Sequence, residues 1–227
     1  MNLGELREAA RYRLDDITPD YLWSDAELNQ FINKAVDEAC LRARFNVDST
    51  SPDTSLIAVT AGQAEYDLHE SVFFIKRAYL ATTQRILLRA GFEDLDASNA
   101  KWMSVTGTPE MYIMDLDYYG DGGQTQRLRL YPIPTVDESL LLTVFRLPLA
   151  PLVSDGDIPE IPPMHHYDLL DWVCHLAYLK TDADTLNVEK AVGYQVEFMN
   201  SFGTKPSAQE VDWRRKQRRK RVTGRYL

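Results

Sequence analysis

Cysteine is nearly missing from this chain: Cys40 and Cys174 are the only two in 227 residues, and they lie far apart in segments with helical periodicity. Two buried free thiols are therefore expected rather than a disulfide or a redox pair, which implies a reducing compartment. Long apolar runs are missing as well. No stretch reaches the roughly 18 apolar residues of a membrane span, and the start lacks the basic-then-apolar pattern of a signal peptide. The fingerprints of common enzyme chemistry are also lacking: no Gly-x-Ser-x-Gly elbow, no Walker loop, no dinucleotide-binding glycine pattern and no paired-cysteine zinc pattern. Cations are scarce overall, with 25 Lys or Arg against 34 Asp or Glu and a formal net charge of −9. That balance speaks against a broad nucleic-acid face, which needs clustered cations over the contact surface.

The cations present are unevenly placed. Eight of the 25 fall in the last fifteen residues, Trp213 to Leu227, where there is no acid, leaving 17 against 34 in the first 212. A body of formal charge −17 thus ends in an arm of +8. Charge blocks of this kind repel themselves, stay solvated and usually serve as interaction arms, the bland alternative being a disordered, solvated tail without a specific partner. The candidate partner-binding residues are Trp213, Arg214, Arg215, Lys216, Arg218, Arg219, Lys220, Arg221, Arg225, Tyr226 and Leu227. The cations can neutralise phosphates with release of counterions. Equally, Arg forks can pair with an acidic protein groove while Trp213, Tyr226 and Leu227 anchor the ends.

Before the arm, periodicity divides the chain. Leu3, Leu6, Ala9, Ala10, Tyr12 and Leu14 predict a first helix, broken at 15–20. Ser24 followed by Glu27 is a capping box, and it opens a second helix through Leu28, Phe31, Ile32, Ala35, Val36, Ala39 and Cys40 to about Arg44. From about Ser55 the period falls to two. Residues 56–60 and 64–68 around Ala61-Gly62-Gln63 read as a hairpin, followed by strands over 72–81, 85–88, 110–116, 127–131 and 139–146. Residues 92–102 read as a short helix or turn and 117–125 as a loop. Prolines 148, 151, 159, 162 and 163 stiffen a connector. A helix over 165–182 is apolar on more than one face, as a central helix would be. Another runs from 184 or 185 to Phe202, with Val188, Ala191, Val192, Tyr194, Val196 and Phe198 as its apolar set and Gly203 as its stop.

Two groups invite a chemical reading. Asp115, Asp117 and Asp121 with Gly120, Gly122 and Gly123 form the best metal candidate, but their spacing is irregular and no closing Glu follows at the distance calcium requires. A solvated hairpin loop is the reading adopted, with a hydrolase built on this loop a distant alternative. His165, His166, Asp168, Asp171 and His175 could share a helix, yet nothing else in the chain converges on them as a zinc site would need. No catalytic residue, cofactor or metal is assigned.

In order, Leu3-Gly4-Glu5-Leu6-Arg7, Leu22-Trp23-Ser24-Asp25-Ala26-Glu27-Leu28 with Phe31-Ile32-Asn33-Lys34-Ala35, Ala61-Gly62-Gln63-Ala64-Glu65-Tyr66-Asp67-Leu68 and Leu128-Arg129-Leu130-Tyr131-Pro132-Ile133-Pro134 make a recognisable series. Ile158-Pro159-Glu160-Ile161-Pro162 and a late helix holding Tyr194 and Phe198 continue it. Taken together the chain resembles the adaptor, or head-to-tail connector, proteins of tailed bacteriophages. The resemblance implies a structural virion protein made in the host cytoplasm and placed at the head–tail junction. It implies a ring of copies, usually twelve, beneath the portal protein, with a tail or nozzle protein below and genomic DNA passing through the lumen without sequence specificity. Portal docking by the C-terminal segment falls here on Pro206–Leu227.

The expected architecture is α+β: a helical bundle of two N-terminal and two or three C-terminal helices, an inserted antiparallel β domain and an extended basic tail. Its expected parts are 1–50, 55–147, the connector 148–163, 164–205 and the arm 206–227. The β insertion departs from purely helical adaptors, and the resemblance suggests that it forms the outer or tail-facing part of the ring. An acidic body suits a DNA channel, because cations lining it would hold the polymer. Cyclic assembly needs heterologous interfaces, for which Trp23, Tyr118, Tyr119, Trp172 and Trp213 are the candidate anchors. The alternative function is a nucleic-acid-binding accessory protein whose arm holds DNA or RNA.

Overall fold

The computed structural model describes residues 1–120, 123–182 and 184–206, with the backbone alone described over 115–120 and 123–125. The chain is α+β. Its helices are α1 (Leu3–Leu14), α2 (Asp25–Ala43), α3 (Pro52–Ser55), α4 (Phe92–Ser98), α5 (Leu169–Tyr178) and α6 (Val188–Phe202). Its strands are β1 (Val47–Asp48), β2 (Leu56–Val59), β3 (Glu65–Asp67), β4 (Val72–Leu80), β5 (Arg85–Arg89), β6 (Thr106–Gly107), β7 (Met111–Gly120), β8 (Gly123–Tyr131), β9 (Ile133–Pro134) and β10 (Glu138–Arg146). Two compact units divide the chain, one of Met1–Val47 with Phe145–Lys205 and one containing Asp48–Val144.

In the first unit α1, α2, α5 and α6 share one apolar core. The capping box at Ser24 and Glu27 opens α2 as its spacing predicts, and Asn2 with Glu5 forms a second box that opens α1. Each satisfies backbone donors that would otherwise lack partners, worth about 1 kcal/mol. The predicted central helix is α5, which touches α1, α2 and α6. Leu169, Leu170, Val173, Cys174 and Ala177 on it are fully buried.

Helix α5 is shorter than the expected 165–182. A 3-10 turn over Pro163–His165 precedes it, and beyond Tyr178 the chain turns, held by Thr185 Oγ1 donating to the Lys180 carbonyl at 3.2 Å. Thr185 is thereby buried in that turn, and α6 starts only at Val188, capped by Asn187. It ends at Gly203, whose φ of 83° is costly for any residue with a Cβ.

Lys180 joins the end of α5 to the start of α2. Its Nζ lies 2.9 Å from Glu27 Oε1 and donates to the Leu22 carbonyl at 3.0 Å. The Lys180 ammonium, with added donors from Ser24, holds the Glu27 carboxyl down at about 2. A depressed carboxylate contributes stability fully present above its ordinary value of 4.5 and lost as pH falls through the folded value of about 2. Glu27→Gln keeps the capping geometry and removes only the charge. Its destabilisation, measured by thermal unfolding against the parent, is expected to be constant near neutrality and to shrink between pH 4.5 and 2.

The second unit is built on a sheet running β10-β4-β5-β7-β8-β3, with β2 also paired to β10. Its core includes Val72, Ile75, Leu80, Leu87, Tyr112, Leu128, Leu140 and Leu142. The predicted hairpin over 56–68 does not form. Leu56 faces Leu141 and Val59 faces Glu138 on β10, whereas Glu65 faces Arg129 and Tyr66 faces Leu128 on β8. The turn between them does exist: Gly62 has φ 83° and its N–H reaches the Pro134 carbonyl at 2.8 Å. Alternation identifies a strand and its inward face without identifying the strand it pairs with.

The pairs β2–β10, β3–β8, β4–β5 and β7–β8 are antiparallel as expected, and a second correction concerns two pairs that are not. The pairs β5–β7 and β6–β9 are parallel. A parallel neighbour needs a crossover, and between β5 and β7 it contains α4 and the turn at Trp102–Ser104. Ala90, Leu95, Trp102 and Ile113 form a small core there. The expected loop over 117–125 is largely ladder, because β7 and β8 stay paired out to Gly120 and Gly123.

Candidate docking surfaces

The arm residues Trp213, Arg214, Arg215, Lys216, Arg218, Arg219, Lys220, Arg221, Arg225, Tyr226 and Leu227 lie outside the described residues. So do Asp121 and the side chains of Asp115 and Asp117, together with Tyr118 and Tyr119. The backbone of 115–120 runs in a strand. Among the described residues, no group of three or more His, Cys, Asp or Glu could hold a metal ion, and no helix is long and apolar enough to cross a membrane.

The His and Asp set of 165–175 is spread over separate structural contacts. His165 Nδ1 lies 3.1 Å from Asp168 Oδ2, and its ring stacks on Phe45 at 4.9 Å. His166 is buried, and its Nε2 must carry the proton because the Ile161 carbonyl 3.1 Å away can only accept. His175 Nδ1 donates to the Ala191 carbonyl at 2.8 Å, joining α5 to α6. Asp171 takes Arg13. Burial raises its carboxyl, and the Arg13 guanidinium opposes that rise without cancelling it. Both cysteines are free and buried, and burial pushes each thiol up to about 12. Thiols so far from ionising are poor nucleophiles.

Two aromatic anchors proposed from sequence are engaged within the subunit. Trp23 is 1% exposed, its Nε1 donating to the Ala177 carbonyl at 3.1 Å and its ring meeting Tyr178 edge-on. An anchor must be reachable, and this one fastens the segment before α2 onto α5. Trp172 is half-buried, with Phe198 at 4.9 Å and the Arg42 guanidinium 4.8 Å from its centroid. Arg42 itself bonds Glu38 and the Gly203 carbonyl. This places Trp172 in a helix-end network.

Other side chains are exposed instead. On α6, Val188, Val192 and Val196 are 57%, 50% and 48% exposed. Their apolar character predicts them in the core, but Ala191, Phe198 and Phe202 carry the buried stripe. The spacing holds the missed signal: 188, 192 and 196 form their own row at i, i+4 and i+8, apart from 191, 198 and 202. Glu189, Gly193 and Glu197 form the exposed row beside the valines. On the second unit Ile86 and Leu88 of β5 are 57% and 50% exposed. Tyr79 lies opposite Ile86 and so shares its face, and the Arg77 guanidinium sits 4.8 Å from the Tyr79 centroid.

A family model described as SU10 adaptor protein matches residues 1–223. No curated protein matches the chain.

Proposed function

Because the chain belongs to the SU10 adaptor protein family, a family of phage head–tail adaptors, we propose that it forms a ring beneath the portal, joins head to tail and extends the DNA channel. The match over 1–223 carries this reading, since it spans both units and most of the arm. In this role the helices of 1–50 and 164–205 act as a bundle, 55–147 is the β insertion, 148–163 connects them, and 206–227 docks on the portal. The ring, usually of twelve copies in such adaptors, would meet a tail or nozzle protein on its other side. It needs no catalytic group. The segregation of charge supports the arrangement: an acidic body of −17 repels the DNA it surrounds, and the +8 arm attaches elsewhere.

Removing 213–227 tests the docking role. Portal binding is expected to vanish while far-UV circular dichroism of the body stays unchanged, and an undiminished affinity for the portal would reject it. The eight cations of the arm also favour a second reading, an accessory protein that holds DNA or RNA. Full-length protein titrated with duplex DNA across salt separates the two. A nucleic-acid arm gives log K falling with log salt at a slope of about −0.9 for each phosphate neutralised. No affinity at low salt removes that reading.

A further inference from the structure

We infer that the outward face of α6 in one copy packs against the outward face of β4 and β5 in a neighbouring copy. This rests on the ring reading, and it names the two surfaces that would meet. A closed ring needs two different, complementary patches on every copy. Each of these faces has an apolar centre about half exposed, Val188, Val192 and Val196 on one and Ile86 and Leu88 on the other.

Their charges are opposite. Glu189 and Glu197 flank the valines, and neither forms an ion pair among the described residues. Arg77 beside Ile86 and Leu88 has the Tyr79 ring as its contact and no acidic partner among the described residues. Arginine stacked on tyrosine beside exposed aliphatics has the composition of an interface centre. The spacing also fits. Valines four apart on a helix recur at about 6 Å, and residues two apart on a strand at about 6.6 Å. DNA phosphates could satisfy Arg77 but would leave Ile86 and Leu88 without an apolar partner.

Gly193 supplies an independent reason. It lies inside α6, where glycine costs roughly 1 kcal/mol relative to alanine. Its φ is not in the left-handed region, and a Cβ built there would meet nothing within 4 Å. Neither backbone geometry nor packing within the subunit requires it. A neighbouring surface that approaches the helix closely beside the valine row, between Glu189 and Glu197, would.

The test is native mass spectrometry of the full-length chain, alone and with portal protein, for the parent and for Val192→Asp, Gly193→Leu, Arg77→Glu and Arg77→Glu with Glu197→Arg. All four sites are exposed, and circular dichroism checks that each variant is folded. Expected is assembly by the parent, with each single variant needing at least about tenfold more protein to assemble, the loss of about 1.4 kcal/mol. The charge-swapped pair is expected to recover most of that loss. If the parent assembles and the folded single variants assemble equally well, this interface is wrong while the ring stands. If Arg77→Glu loses duplex-DNA binding but assembles normally, the β4–β5 face serves nucleic acid and the inference falls. If the parent assembles neither alone nor with portal, the ring reading itself fails and takes this interface with it.

Discussion

Asp16→Ala is expected to lower the unfolding free energy by about 3–5 kcal/mol, the range for removing one partner of a buried ion pair. The side chains of Asp16 and Arg11 are 4% and 10% exposed, and their ion pair is 2.8 Å long. Asp16 does more than neutralise: it also accepts the backbone N–H of Leu22 at 3.0 Å and of Trp23 at 3.4 Å. Arg11 uses its other nitrogen on the Trp23 carbonyl and on Asp25, and stacks on Tyr21 at 3.7 Å. The segment between α1 and α2 is therefore folded around one carboxylate. Removing it leaves Arg11 with Asp25, a mostly exposed carboxylate, as its remaining ion partner and strands two backbone donors.

A comparison variant calibrates that number. Glu110→Gln breaks the Arg85–Glu110 pair, whose side chains are 45% and 60% exposed at a similar 2.8 Å. Its expected cost is below about 1 kcal/mol, because solvent screens an exposed pair. Urea unfolding at neutral pH measures both. Similar small losses in the two variants would mean that water reaches Arg11 and Asp16 and that the clasp is not buried in solution.

How much of this was legible beforehand depends on the range of the interaction concerned. Ser24 and Glu27 are three residues apart, so their box could be read directly, as could Gly203 as a stop and the burial of α5. The partners of β2 and β3 were not readable, because Leu56 meets Leu141 and Tyr66 meets Leu128 across large sequence separations. The burial of Trp23 is hidden from sequence for a related reason. Trp23 sits in an acidic, turn-like stretch, and only the position of the Ala177 carbonyl shows that it is buried. The converse held on α6. Valine is apolar in any composition count, so the outward row was assigned inward until Ala191, Phe198 and Phe202 occupied that face. The adaptor resemblance was legible because it depends on the order of many local pieces.

Trp102→Ala is expected to cost about 3 kcal/mol, near the lower end of the usual range for emptying a core tryptophan site. Trp102 is 1% exposed and is the largest member of the small core with Ala90, Leu95 and Ile113. Phe92 and Tyr131 lie within 5.7 and 5.8 Å of its ring, so truncation removes packing on two sides. Two features reduce the penalty. Its Nε1 donates to Asp96, an exposed carboxylate that water can satisfy after the change. The Arg129 guanidinium lies over the ring at 5.1 Å, and its buried Nε has no hydrogen-bond partner among the described residues. Water entering the vacated space could reach that nitrogen and return part of the roughly 1–3 kcal/mol that burying an unsatisfied donor costs. Trp102→Phe fills most of the space, so it is expected to lose only about 1–2 kcal/mol. Urea midpoints at unchanged m-value distinguish the cases. An alanine variant as stable as the parent would show that this small core contributes little to the second unit.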